Sequence, residues 1–192
     1  VSAILDADLR DANLNGVSLR GADLRGANLN AARLSNDTFK ADASDFNHWG
    51  DNRFRGRDYQ GAVSYYDRAI TIDSRNVEAY ANRGLAKSEL NDYQGAIADY
   101  NKAIEINANF APAYNNRGII RTLTQDYTGT LTDFDKAIGI DGSYAEAYSG
   151  KANIHRLQKN YSAAINEAST AIRLNPKLAS ASERAWCSTL CQ

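Results

Sequence analysis

Leucine returns at every fifth position near the start of this chain. It stands at Leu9, Leu14, Leu19, Leu24, Leu29 and Leu34, with Ile4 before and Phe39 after. Two residues ahead of each aliphatic position stands a small one: Ser2, Ala7, Ala12, Val17, Ala22, Ala27 and Ala32. A spacing of two puts both side chains on one face of an extended segment. A period of five suits neither a helix nor a plain alternating strand. It predicts short extended sides joined by turns, with Gly16, Gly21, Gly26, Asn and Asp at the corners. From residue 43 the period becomes 34, set by Phe46, Tyr80, Tyr114 and Tyr148, by Gly50, Gly84 and Gly118 (then Ala152), and by Tyr59, Tyr93, Tyr127 and Tyr161. Ala69, Ala103, Ala137 and Ala171 keep the same register. Each unit reads as two helices, in the second roughly Glu78 to Leu90 and Gln94 to Ile106, joined by Asn91-Asp92-Tyr93.

The five-residue pattern over 2–41 resembles the pentapeptide-repeat family, Ala-Asp/Asn-Leu-x-x. That resemblance implies a right-handed, four-sided β-helix with four pentapeptides per coil, hence two coils here. Ile4 would stack on Leu24, Leu9 on Leu29, Leu14 on Leu34 and Leu19 on Phe39. Asp37 interrupts the small-residue row, so the β-helix is expected to end near residue 41. Residue 1 is Val and the repeat is in phase at Ser2, which points to a fragment of a longer protein or a processed chain. An open β edge offers a route to self-association. Some pentapeptide-repeat proteins imitate DNA, but residues 1–41 balance five acids against five bases. Two coils also make a rod of only ~10 Å, so DNA mimicry is disfavoured.

The 34-residue pattern resembles the tetratricopeptide-repeat (TPR) family in period, helix count and signature residues. Four units fit, at 43–76, 77–110, 111–144 and 145–178, followed by a capping helix at 179–192. The whole is expected to be a mixed solenoid: a two-coil right-handed quadrilateral β-helix over 1–42, then an all-α superhelix of four helix-turn-helix repeats and its cap. In register, Gly84 is expected to face Ala96 and Ala103 so that the two helices approach closely. The family's unit-ending proline survives only as Pro176; Ser74, Ala108 and Gly142 replace it. Trp186 is expected to fill space left by Ala168, which stands where Tyr66, Tyr100 and Phe134 carry rings.

One pattern can be solved within the sequence. Trp49, Arg83, Arg117 and Lys151 precede the glycine-type positions, and sixteen residues later stand Tyr65, Asp99, Asp133 and Glu167. The pairs are aromatic–aromatic once and basic–acidic three times. They are expected to touch between the helices of a unit, or across to a neighbour. A second basic column, Arg53, Lys87, Arg121 and His155, reads as solvated or internally paired ahead of meeting an acidic partner.

Net charge is −1 over 192 residues, which argues against a general nucleic-acid binder. No apolar run approaches a transmembrane span, and a cytoplasmic setting is expected. Cys187 and Cys191 lie one helical turn apart and read as a reduced pair, with a disulfide as the minority alternative. No nucleophile motif, phosphate loop or metal-ligand spacing occurs, and the two histidines, His48 and His155, are far apart. No enzyme, cofactor or metal is therefore expected. The TPR resemblance implies a concave groove lined by the first helices and holding a peptide or partner segment. By register its residues are Asn47, Asn82, Leu85, Asn115, Asn116, Ile119, Asn153 and Arg156. Asn82 and Asn116 repeat one position in consecutive units, where the family often bonds a peptide backbone; Asn-Arg-Gly as a mere helix habit is the competing reading. The basic clamp of chaperone-tail receptors is missing, since Asn47, Asp51 and Pro112 occupy its positions. The chain is thus expected to be a non-catalytic interaction scaffold for an unidentified protein or peptide, with the targeting or regulatory arm of a larger enzyme as the alternative.

Overall fold

The computed structural model of the chain describes residues 8–14 and 42–178. Eight α-helices fill the longer stretch: α1 (Ala43–Arg55), α2 (Tyr59–Ile72), α3 (Val77–Glu89), α4 (Tyr93–Ile106), α5 (Ala111–Leu123), α6 (Tyr127–Ile140), α7 (Ala145–Leu157) and α8 (Tyr161–Leu174). A short 3-10 turn, Pro176–Leu178, follows. Odd helices start 34 residues apart, and so do even ones, so the period of the sequence is the period of the helices. The two compact units of the chain are Val1–Asn107, which holds α1–α4, and Ala108–Gln192, which holds α5–α8. In the first, α1 pairs with α2, α3 with α4, and α2 packs on α3. The second repeats this plan with α5–α6, α7–α8, and α6 on α7.

The turns are built identically four times. Arg57, Asn91, Gln125 and Lys159 adopt left-handed backbone, φ 60–63°. The next residue, Asp58, Asp92, Asp126 or Asn160, sends its N–H back to a carbonyl five residues earlier, at 2.8–3.0 Å. The left-handed residue itself bonds three back, as Asn91 N–H does to Ser88 O at 3.0 Å. Together these bonds close the end of each first helix as a Schellman motif. The same Asp or Asn then caps the second helix, its side chain accepting from Gly61, Gly95, Gly129 or Ala163 N–H. This double duty starts α4 at Tyr93, one residue before the sequence-based expectation. Three unit-to-unit turns that lack proline or precede Pro176 use an Asx turn: Asp73, Asp141 and Asn175 each accept the N–H two residues on.

The interior is mostly alanine with aromatic rings set among it. Ala62, Tyr66 and Ala86 form one cluster in the first unit, with Phe54 and Val63 against it. Ala111, Phe134, Ala137, Ala147 and Ile154 form that of the second. A Cβ placed on Gly50 would lie 2.5 Å from Tyr66 Cε1, and one on Gly118 would lie 2.9 Å from Phe134 Cε1. For Gly84 the nearest atoms are the Tyr100 ring at 2.9 Å and the Ala96 carbonyl oxygen at 3.2 Å. The expected partner Ala103 is replaced by Tyr100, because the ring, lying over the helix, reaches the glycine first. Phe134 also meets Gly150 of the next first helix, 2.5 Å from its would-be Cβ.

Residues 8–14 show one corner of the five-residue pattern. Ala12 N–H donates to Leu9 O at 3.1 Å across Asp11, whose φ is 57°. Arg10 folds onto the Asp8 carboxylate, Nε to Oδ1 at 2.8 Å. The two-coil β-helix, its stacked pairs and open edge, Phe39, the capping helix at 179–192, Trp186, Cys187 and Cys191 lie outside the described residues.

Glycine in a helix costs up to about 1 kcal/mol relative to alanine, so only the ring contact justifies it. Gly50→Ala is expected to destabilise the chain by about 1–3 kcal/mol through overpacking against Tyr66. Gly139→Ala in α6, where a Cβ meets nothing within 4 Å, is expected to stabilise it by about 0.5–1 kcal/mol. Urea unfolding of both variants checks the pair, and equal effects would refute the ring contact as the cause.

Candidate functional site

Charge between the helices is organised before any surface is. Arg83 on α3 grips Asp99 on α4, Nε to Oδ2 at 2.9 Å, and Lys87 Nζ reaches the same Oδ2 at 2.8 Å. Arg117 and Arg121 on α5 both hold Asp133 on α6, at 2.9 Å and 2.8 Å to Oδ2. Asp99 is only 4% exposed and Asp133 only 1%. A carboxylate that deep persists only when paired and hydrogen-bonded. Lys151 Nζ meets Glu167 Oε1 at 2.8 Å, and Trp49 meets Tyr65 edge-on, ring centres 6.0 Å apart. All four pairs expected at the sixteen-residue spacing therefore form.

Two of these cations also reach sixteen residues backwards, which the sequence reading missed. Arg83 Nη1 bonds Asp67 Oδ1 on α2 at 2.6 Å, and Lys151 Nζ bonds Asp135 Oδ1 on α6 at 2.8 Å. Asp67 and Asp135 sit at the same register position two repeats apart, and that recurrence was the available signal. Burial works against the charge of Arg83, but the Asp99 and Asp67 carboxylates outweigh it and hold the guanidinium above the usual arginine range. For Lys151 the Asp135 and Glu167 carboxylates likewise overcome burial and raise its pKa. In the second basic column Arg53 lies 3.4 Å from Asp58, and Lys87 and Arg121 share the buried carboxylates. His155, the fourth member, keeps Nδ1 buried without a hydrogen-bond partner among the described residues.

The residues expected to line a groove fall into small groups. In the first unit Asn47 is 7% exposed and donates to Asn76 Oδ1 at 3.1 Å. Asn76 caps α3 through Ala79 N–H, so Asn47 ties α1 to that cap. Asn82 Nδ2 donates to Asp51 Oδ1 at 3.1 Å, and the Tyr66 hydroxyl donates to the same oxygen at 2.8 Å. Leu85 is half-buried on α3. In the second unit the buried Asn115 donates to Asn116 Oδ1 at 3.2 Å. Ile119 is exposed on α5, and on α7 Arg156 Nη2 donates to Asn153 Oδ1 at 2.9 Å. Asn82, Leu85, Asn116 and Arg156 are half-buried, while Asn153 is exposed.

The Asp51–Tyr66–Asn82 group has no copy one repeat later. There Leu85 stands where Asp51 does, and the hydroxyl of the fully buried Tyr100 has the Ser88 side chain beside it in place of a carboxylate. Burial pushes the hydroxyls of Tyr66 and Tyr100 well above the usual tyrosine range, and for Tyr66 the Asp51 carboxylate adds to it. In the third repeat Ile119 holds the Asp51 position and Phe134, which carries no hydroxyl, that of Tyr66. Among the described residues no group of His, Cys, Asp and Glu is placed to hold a metal, and no helix is long and apolar enough to cross a membrane.

Two outcomes are expected from this geometry. Asp133→Ala, which takes the buried carboxylate from Arg117 and Arg121, should cost about 3–5 kcal/mol in chemical unfolding; a loss under ~1 kcal/mol, as for an exposed pair, would contradict the burial. Tyr66→Phe should cost about 1 kcal/mol and Tyr100→Phe less, because only the Tyr66 hydroxyl donates to a carboxylate. Equal losses in the two tyrosine variants would show that the Asp51 carboxylate adds nothing to the Tyr66 bond.

Comparison with known proteins agrees with the repeat pattern. A pentapeptide-repeat model of eight copies matches residues 6–36, and two tetratricopeptide-repeat models match 77–110 and 145–178. No curated protein matches the chain. Among solved structures, MamA is similar at TM-score 0.64 and 20% identity, covering 72% of this chain and 81% of that one. The Arabidopsis OM64 TPR domain is similar at TM-score 0.59 and 26% identity, covering 60% and 95%. The first TPR of Spaghetti (RPAP3), solved bound to the HSP90 peptide SRMEEVD, is similar at TM-score 0.59 and 23% identity, covering 61% and 93%. The helical units therefore have the fold of TPR proteins, and the chain joins pentapeptide repeats to tetratricopeptide repeats.

Proposed function

We propose that the chain is a protein–protein interaction scaffold whose first helices offer side chains to a peptide or partner segment. The observation that carries this reading is how the side chains on those helices divide. Gly84, Ala86 and Arg83 serve the core and its ion pairs, while Asn82, Leu85, Asn116, Ile119, Asn153 and Arg156 lie between those positions, half-buried or exposed. Exposed polar and apolar groups on rigid, capped helices are what a binding surface requires. The similar fold of the peptide-bound Spaghetti domain supports it.

Asn82 and Asn116 are the proposed backbone ligands. An asparagine amide both donates and accepts, as an extended peptide demands. Among the described residues, Asn82 spends one N–H on Asp51, which leaves its carbonyl and second N–H to serve a ligand. Asp51 places a carboxylate beside it, so the first-unit surface is not suited to a peptide that ends in acidic residues and a free carboxylate. The cations at Arg83, Arg117, Lys87 and Arg121 are excluded as ligands by their buried partners.

Pull-down by the native chain and by Asn82→Ala/Asn116→Ala tests the reading. Partners bound by the native chain are expected to be lost or weakened about tenfold with the double variant. Equal retention by both forms would argue against recognition through these asparagines.

A further inference from the structure

The first helices of the second unit carry apolar side chains that their core does not use. Ile119 and Leu123, one turn apart on α5, are 46% and 57% exposed, and Leu157 on α7 is 45% exposed. Leu123 and Leu157 are 34 residues apart and so hold the same place on consecutive first helices, which touch each other directly. The inward faces of these helices are already filled, by Ala113 and Ile120 on α5 and by Ala147 and Ile154 on α7. A single exposed leucine is ordinary. Here Leu123 and Leu157 hold matched positions on touching helices and Ile119 lies one turn from Leu123, so the three form a patch.

The fold does not demand apolar residues there. In the first unit the equivalent positions are Asp51 and Arg55 on α1 and Leu85 and Glu89 on α3, three of four polar. In the second they are Ile119 and Leu123 on α5 and Asn153 and Leu157 on α7, three of four apolar. Charge points the same way. Helix α5 has no acidic residue, and its two arginines are committed to Asp133. On α7, Lys151 is committed to Asp135 and Glu167. Arg156 lies beside Leu157 and hydrogen-bonds only the neutral amide of Asn153 among the described residues. The one acid of α7, Glu146, is ten residues from Arg156, about 15 Å along the helix. A half-buried guanidinium without a carboxylate attracts one.

We propose that the face formed by Ile119, Leu123 and Leu157, with Arg156 at its margin, docks a partner segment bearing spaced apolar side chains next to a carboxylate. This rests on the scaffold reading above and adds the chemistry of the partner. The apolar side chains of the segment cover the three aliphatic residues, and its carboxylate takes the Arg156 guanidinium. The first-unit positions, being charged, do not take the same segment.

A random dodecapeptide library displayed on phage, panned on the full chain, tests this. Enriched peptides are then synthesised and titrated by fluorescence anisotropy against the native chain, Leu123→Ser/Leu157→Ser, Arg156→Gln and Asn82→Ala. The altered leucines are exposed, so thermal melting of the serine variant should match the native chain and exclude misfolding. Enriched peptides should share at least two spaced apolar residues and an Asp or Glu. Their Kd should rise about tenfold or more in the double-serine variant. In Arg156→Gln it should rise about threefold, and the native affinity should fall with added salt. The inference is overturned if no peptide is enriched, if enriched peptides lack this pattern, or if the double-serine variant binds them as well as the native chain. Self-association by sedimentation that the double-serine variant abolishes would give the face to a second copy and also overturn it. Binding lost in Asn82→Ala but kept in the serine variant overturns this inference alone and leaves the scaffold reading standing.

Discussion

The contact between a helical glycine and an aromatic ring is the constraint on which the first three helix pairs depend. Gly50 under Tyr66, Gly84 under Tyr100 and Gly118 under Phe134 let the second helix lie so close that a single methyl group would not fit. That proximity has two consequences. It allows alanine to fill the rest of the interface, since Ala62, Ala69, Ala96 and Ala103 are all fully buried. It also removes water from the residue beside each glycine, so a charge there must be paired. Arg83 and Arg117 occupy that place, and each brings its carboxylate with it.

Buried ion pairs are poor sources of net stability compared with apolar packing. The first unit has the alternative in the same register, Trp49 against Tyr65, reinforced by Phe46 at 5.0 Å from the indole. Both solutions bridge the same gap between two helices. What distinguishes the ionic one is its reach. Arg83 and Lys151 each hold a carboxylate on their own second helix and another on the preceding one. An aromatic pair holds only its immediate neighbour, whereas a guanidinium with five donors satisfies two acceptors at once. The charged version therefore ties a first helix to both helices that flank it.

Much of this was legible in the sequence because a repeat supplies its own controls. Four copies of one position, varied together, identified the Trp49–Tyr65, Arg83–Asp99, Arg117–Asp133 and Lys151–Glu167 contacts. The same logic failed where a contact occurs once. Asp51, Tyr66 and Asn82 come together from three helices, and no other unit repeats the combination. Asp67 and Asp135 looked like ordinary exposed residues, because more than half of each side chain remains in water even when bound. The glycine partner was misread for a different reason. Register shows which residues share a face, but the length and tilt of the Tyr100 ring decide which of them arrives first.

The ion pairs also sharpen what the outer surface can do. A cation that neutralises a buried carboxylate cannot be lent to a ligand without leaving that carboxylate unpaired. Arg83, Lys87, Arg117, Arg121 and Lys151 are therefore structural residues, despite forming the most conspicuous charge columns in the sequence. On the first helices a smaller set is left without that structural duty, with different chemistry in each unit. In the first unit the set is polar and partly self-bonded, with Asn82 already resting on Asp51. In the second it is aliphatic, with one guanidinium resting on an amide. The repeats share a core but differ at the same first-helix positions, and the difference falls between Asp51–Arg55 and Ile119–Leu123.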